Sequence, residues 1–131
     1  MEQKMKRFIV KPQAIEELVH HDIPKMEQEI GPLFKFMDRE MVPESDVTLL
    51  VRQVNREVKD ELRAGPSLHT HEVNQLYCLL GDLELEVMLG AEKHRVKGPA
   101  SILVPAGMQH AIRFAGGKGY LVNVLSGARY R

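Results

Sequence analysis

Three histidines in this chain have a spacing that is compatible with binding a metal ion. His69 and His71 are one residue apart, and His110 ends a second marked segment, Pro105-Ala-Gly-Met-Gln-His110. In an extended strand, residues two apart share a face, which puts their side chains about 6–7 Å apart. Two imidazoles at that distance can converge on one metal ion. The spacing therefore predicts that His69 and His71 belong to a metal site.

Strand parity divides the neighbours of these histidines into two rows. If residues 68–80 are extended, alternate side chains point inward and outward. The inward row is His69, His71, Val73, Gln75, Tyr77 and Leu79, and the outward row is Glu72, Asn74, Leu76, Cys78 and Leu80. The apolar part of the outward row requires cover, either from the N-terminal residues or from a second subunit.

The elements that position these residues are short and rich in β-forming residues. Strands are predicted over residues 47–54, 68–80, 83–89, 93–96, 101–104, 110–114 and 120–125. Glycine or proline turns separate them at intervals of about eight to twelve residues, a pattern typical of an all-β barrel or jelly roll. Residues 83–89 alternate cleanly between apolar and other residues, which indicates a strand with one face in a core.

The first part of the chain is predicted to differ from the barrel in secondary structure. A short strand is predicted at Phe8-Ile9-Val10 and a helix from Pro12 through His20. We therefore expect an N-terminal helical or extended segment, residues 1–44, that packs on the barrel or on a partner subunit. The barrel domain is expected over residues 45–131.

Charge and cysteine content limit the classes of binding partner and the cellular compartments that we expect. The 18 basic and 18 acidic side chains cancel, which gives no electrostatic case for nucleic acid or for a membrane surface. The single cysteine excludes an intrachain disulfide and suits a reducing compartment. The apolar run near the start is too short for a signal peptide, and no run approaches the length of a membrane span. We expect a cytoplasmic protein that binds a small molecule.

The two histidine segments together resemble the motifs of the cupin superfamily. His69-Thr-His71 matches the His-X-His of the first motif, with Gln75 standing where that motif has a glutamate. Pro105-Ala-Gly107 and His110 match the second motif, in which Phe114 replaces an asparagine. The resemblance implies a double-stranded β-helix, also called a jelly-roll or cupin barrel, over residues 45–127.

The resemblance also implies a metal site with His69, His71 and His110 as ligands. Face parity selects Gln75 for the fourth position, whereas Glu72 and Asn74 would need a bulge to turn inward. Gln75 either ligates through its amide oxygen or hydrogen-bonds one of the imidazoles. The implied cofactor is one divalent transition metal ion per chain: Zn, Ni, Fe, Mn or Cu.

A metal-binding small-molecule cupin is the expected function. Neutral ligands leave the ion with nearly its full charge, which favours substrates that chelate through oxygen, such as keto, enol or hydroxy acids, including sugar acids. The chain is then a metal-dependent dioxygenase or an isomerase. The alternative is a ligand-binding or sensing cupin without catalysis, because no carboxylate near the metal is an evident general base.

Strand parity also predicts which residues line the pocket, and the cupin resemblance implies an oligomeric state. The residues expected to line the substrate pocket are Tyr77, Leu79, Ile112 and Phe114. Cupins usually form dimers, so we expect a homodimer.

Overall fold

The computed structural model describes residues 4–15, 31–54 and 68–126. A 3₁₀ turn at Lys4–Phe8 precedes the strands of the described part. The strands are β1 Gln13–Ala14, β2 Leu33–Met37, β3 Thr48–Val54, β4 Gln75–Gly81, β5 Glu84–Leu89, β6 Glu92–Lys97, β7 Ala100–Val104, β8 His110–Gly116 and β9 Gly119–Leu125. No helix within these ranges is long and apolar enough to cross a membrane.

The strands form two antiparallel sheets. The larger has the order β1-β2-β3-β9-β4-β7, and the smaller has the order β6-β5-β8. The last strand, β9, therefore lies between β3 and β4, and it pairs with both along their full length. The all-β jelly roll expected from the sequence is confirmed.

Alternating burial along the strands builds the core between the two sheets. In β3 and at the start of β4, every second residue is buried. The main core cluster consists of Val54, Tyr77, Leu79, Leu83, Leu85, Val87, Ile102, Val104, Ile112, Phe114 and Leu121. Full burial of one such leucine or valine contributes about 1.5–3 kcal/mol, so this cluster is the main force that holds the sheets together.

The N-terminal residues differ from the sequence prediction. Phe8-Ile9-Val10 is not a strand, because Phe8 ends the 3₁₀ turn and Ile9 is 76% exposed, with no strand partner in the described ranges. The predicted helix is wrong at Gln13–Ala14, which pairs with β2; residues 16–20 lie outside the described residues. Because β2 pairs along β3, this part of the predicted extension enlarges the sheet. The division at residue 44 stays a prediction.

Candidate metal centre

A short backbone pairing brings two of the histidines together. His69 and His110 face each other across an isolated antiparallel bridge. The amide of His69 donates to the carbonyl of His110 at 3.0 Å, and the amide of His110 donates back at 2.9 Å. Directly opposed residues in such a pair have side chains on one face of the ladder, close together. Their imidazole centroids are 4.4 Å apart.

Loop contacts, and not a strand, hold the third histidine. The strand predicted over residues 68–80 begins only at Gln75, and residues 72 and 73 form a bend. The carbonyl of His71 accepts a hydrogen bond from the amide of Gly107 at 2.9 Å. Gly107 has a φ of 82°, a left-handed conformation that favours glycine. The glycine of the Pro-X-Gly segment thus allows the turn that anchors His71.

The three imidazoles form a tight cluster. The ring centroid of His71 is 4.9 Å from that of His69 and 5.2 Å from that of His110. One ring nitrogen from each residue lies within 4.8 Å of the other two. Tetrahedral ligation, with metal–nitrogen distances of about 2.1 Å, requires these nitrogens to be about 3.4 Å apart. The nitrogens must therefore approach one another by at most about 1.4 Å to share one ion.

The protonation state of His110 suits a metal ligand. Its Nδ1 lies 3.0 Å from the carbonyl oxygen of Met108, and because a carbonyl only accepts, Nδ1 carries the proton. Burial lowers the pKa of His110 to about 4, despite the hydrogen bond to Met108, which raises it. The ring is therefore neutral at neutral pH. Its Nε2 lone pair is buried and meets no hydrogen-bond donor in the described part of the chain.

Gln75 shows the same pattern of one satisfied and one unsatisfied end. It begins β4 and is 1% exposed, on the inward face that parity predicted. Its Nε2 donates to Oδ1 of Asn123 at 2.8 Å. Its Oε1 is buried and has no hydrogen-bond partner among the described residues. An unsatisfied buried acceptor costs about 1–3 kcal/mol, so this oxygen is suited to a bound cation. Ligation by Gln75 stays a prediction.

The two competitors of Gln75 for the fourth position are both exposed. Asn74 is exposed, and its Oδ1 accepts a hydrogen bond from the amide of Ala106 at 2.9 Å. Glu72 is exposed and lines an open depression of about 630 Å³. The other residues that line this depression are Thr70, His71, Ala106 and Gly107.

Glu72 lies beside the histidines although it is on the outward face. Parity predicts an outward Glu72, and the residue is exposed, whereas His71 is buried. The sequence pattern makes Glu72 a candidate only for the fourth ligand position, and in the structure it lines one depression together with His71. Residues 72 and 73 form a bend, which interrupts the predicted strand. The low β-propensity of glutamate and asparagine in residues 72–74 is the signal that predicts such an interruption.

The predicted pocket residues lie in the main core. Tyr77, Leu79, Ile112 and Phe114 are all buried members of the core cluster. Tyr77 is near the histidines, with its ring centroid 6.4 Å from that of His110. The described depression beside His71 is lined by other residues. Contact between these four side chains and a ligand stays a prediction.

Comparison with known proteins gives matches in structure. No family profile matches the chain, and no curated protein matches it in sequence. The structure of KdgF from Halomonas sp. matches with a TM-score of 0.59 at 18% identity, over 86% of this chain and 91% of KdgF. An RmlC-like cupin from Shewanella frigidimarina NCIMB 400 matches with a TM-score of 0.56 at 16% identity, over 75% and 77% of the two chains. The chain has the cupin fold.

A third match is to a protein larger than this chain. Oxalate decarboxylase from Bacillus subtilis, whose structure was studied for its Mn(II) centres, matches with a TM-score of 0.65 at 12% identity. The match covers 94% of this chain and 29% of the decarboxylase. Structural similarity at such low sequence identity establishes the fold, and a shared fold does not imply a shared activity.

Proposed function

We propose that this cupin binds one divalent transition metal ion through His69, His71 and His110, with Oε1 of Gln75 as the fourth ligand. The observation that carries the proposal is the convergence of three ring nitrogens within 4.8 Å. The buried, unsatisfied Nε2 of His110 and Oε1 of Gln75 support it, because both are acceptors that a cation satisfies.

The donor set supports a Lewis-acid role. An imidazole or an amide that coordinates a cation carries no formal charge, so these four ligands would leave the formal charge of the ion uncancelled. When bound, the metal would supply electrostatic stabilisation to oxygen atoms of a substrate. Such a set suits Mn, Fe, Ni, Zn or Cu, and affinity alone does not select among them.

The proposed substrate is a small carboxylic acid with a neighbouring keto, enol or hydroxy oxygen, such as a sugar acid. Two adjacent oxygens on the substrate match a site of high positive charge with open coordination positions. A structural neighbour supports this class, because oxalate decarboxylase is named for a small carboxylic acid.

The proposed reaction is an isomerisation by proton transfer. Glu72 lines the depression beside His71 and supplies the carboxylate among its lining residues. In this reaction Glu72 accepts a proton from the carbon next to the substrate carbonyl and returns it to a neighbouring atom. The proton is conserved and no oxidant is needed, which separates this proposal from oxygenation.

Ligand binding without chemistry is the second candidate function. The depression is open and Glu72 is exposed to solvent. Water is then not excluded from the carboxylate, which weakens a catalytic group. A sensing or storage role requires only the metal and the depression.

Metal analysis and an oxygen-free assay test the proposal. We expect purified protein to contain about one transition metal ion per chain. Metal-free protein reloaded with Mn, Fe, Ni or Zn is then incubated with a panel of keto and hydroxy acids, including sugar acids, in air and under nitrogen. Turnover that persists under nitrogen supports isomerisation, and turnover only in air means oxygenation. Thermal stabilisation by a panel compound without turnover supports the binding function, and absence of metal contradicts the proposed site.

We also propose that the cupin forms a homodimer through the outer face of its larger sheet. Leu80, Leu103 and Tyr120 are 47%, 61% and 46% exposed on this face. The outward positions of β4, β7 and β9 between them carry no charge: Leu76, Cys78, Ser101, Val122 and Val124. An uncharged apolar patch is self-complementary, as a two-fold symmetric contact requires.

Leu103→Asp is expected to separate the dimer into monomers. The substitution places a charge in the apolar patch, where a dimer would bury it without a partner. Light scattering after size exclusion measures the mass. Ile9→Asp is the matched control, because Ile9 is 76% exposed in the N-terminal segment, and it should leave the dimer intact. A monomeric wild type, or a dimeric Leu103→Asp variant, would contradict this interface.

A further inference from the structure

Asn123 is a polar side chain among apolar neighbours. It lies in the middle of β9, in register with Tyr77 on β4 and Leu50 on β3, both of which are buried. Asparagine at such a position is unfavourable unless its amide is hydrogen-bonded. Its Oδ1 accepts from Nε2 of Gln75 at 2.8 Å, across 48 residues of sequence. Asn123 thus provides the hydrogen-bond acceptor for the side-chain amide of Gln75.

The hydrogen bond determines which end of the Gln75 amide is available to the site. A primary amide has an NH₂ donor and a carbonyl acceptor, and rotation by half a turn exchanges them. With Nε2 bound to Asn123, the end left buried and unsatisfied is Oε1. With the Asn123 amide in its present orientation, the opposite rotamer would place Oε1 against Oδ1 of Asn123, acceptor against acceptor. It would also present NH₂, which has no lone pair for a cation.

We propose that Asn123 is a positioning residue that holds the Gln75 amide with its oxygen presented to the metal. This inference rests on the proposed metal site and deepens it. It gives a physical reason why glutamine can stand where the cupin motif has glutamate. A carboxylate offers an oxygen in either rotamer, whereas an amide offers one in only one of its two rotamers, and a partner such as Asn123 favours that rotamer.

Three substitutions test the role of Asn123. Asn123→Leu removes the acceptor at similar volume, Asn123→Ala removes it without bulk, and Asn123→Asp keeps an acceptor for Nε2 of Gln75. Loss of a residue that orients a metal ligand typically lowers metal affinity about 10–100-fold. We expect a loss in that range for the leucine and alanine variants and at least wild-type affinity for the aspartate variant.

The measurement is Co(II) binding to metal-free protein by competition with a chromophoric chelator. The visible spectrum of the Co(II) form is recorded in parallel, because its ligand-field bands report the ligands around the ion, and a loss of stability that leaves those ligands in place does not move them. Circular dichroism checks that each variant folds, and Asn123→Ala carries the test if Asn123→Leu does not fold.

A second background separates positioning from a general effect on the fold. The carboxylate that Gln75→Glu introduces needs no orienting partner. Asn123→Leu added to Gln75→Glu should therefore change Co(II) affinity by no more than about twofold, as independent sites do. An equal loss of affinity in both backgrounds would overturn the positioning role.

Two further outcomes distinguish the inference from the site on which it rests. Wild-type protein that binds no Co(II) overturns the proposed metal site and this inference with it. If wild type binds Co(II), and Asn123→Leu and Asn123→Ala bind it as tightly and with the same spectrum, the role of Asn123 alone is overturned.

Discussion

His110→Ala is expected to abolish metal binding and the stability that the metal provides. His110 contributes a neutral imidazole whose Nε2 is buried and unsatisfied, and its Nδ1 is held by the carbonyl of Met108. Loss of a residue that merely orients a ligand costs about 10–100-fold in metal affinity, so loss of this ligand should cost more. Purified His110→Ala should therefore contain little metal.

The same substitution has a thermodynamic signature. A metal at a thousand times its Kd adds about 4 kcal/mol to the free energy of unfolding of a protein that binds it only when folded. We expect a gain of that size for wild type and almost none for His110→Ala. Urea unfolding with and without added metal measures the difference within each variant. The comparison therefore removes the effect of the cavity that alanine leaves.

His69→Ala should behave in the same way, because its ring nitrogen belongs to the same cluster. His94→Ala is the matched control: His94 is an exposed histidine on β6, paired with Glu92, and it is not part of the cluster. It should retain full metal content and the full metal-dependent gain. Stoichiometric metal in both His69→Ala and His110→Ala would contradict the proposed site.

The strands of the barrel were predictable because their burial pattern is local. Leu83, Leu85 and Val87 alternate with other residues, and all three are buried as predicted. Glycine and proline mark the turns between the strands. The order of strands was not predictable in this way, because alternation specifies the face of a side chain but not its neighbouring strand. The position of β9 between β3 and β4 depends on long-range pairing.

The histidines of the candidate site were predictable from the sequence, but the contacts that position them were not. Spacing and motif resemblance together brought His69, His71 and His110 into one hypothesis, and the structure places their rings in one cluster. Their positions depend on a two-residue bridge and on the 105–107 turn, which are contacts between distant segments. For the same reason no pattern in the sequence linked Asn123 to Gln75.

Residues 68–80 were predictable in their faces but not in their strand. Gln75, Tyr77 and Leu79 are buried on one face of β4, as parity predicted. Before Gln75 the chain bends at residues 72 and 73, so it is not one continuous strand. The predicted faces nevertheless persist there, because His71 is buried whereas Glu72 is exposed. Parity did not indicate that Glu72 lines the same depression as His71, because that depression also requires residues 106 and 107, which are distant in sequence.

Glu72→Gln is expected to lower kcat about 10²–10⁴-fold, the usual contribution of a general base, with the metal retained. The amide is nearly the same size as the carboxylate but does not accept a proton. Substrate binding depends mainly on the metal site in this proposal, so KM should change little. Steady-state rates with the acid identified by the substrate panel, together with metal content, test both parts.

Metal content in Glu72→Gln also decides between two roles for this residue. If Glu72 is the proton carrier, the variant keeps about one ion per chain and loses rate. If it loses the ion instead, Glu72 is a ligand, and the assignment of Gln75 to the fourth position is wrong. Glu92→Gln is the matched control, since Glu92 is an exposed glutamate on β6 and does not line the depression. Wild-type turnover in Glu72→Gln would contradict the proton-transfer role. In that case the open depression and the cluster of three imidazoles would favour ligand binding without chemistry.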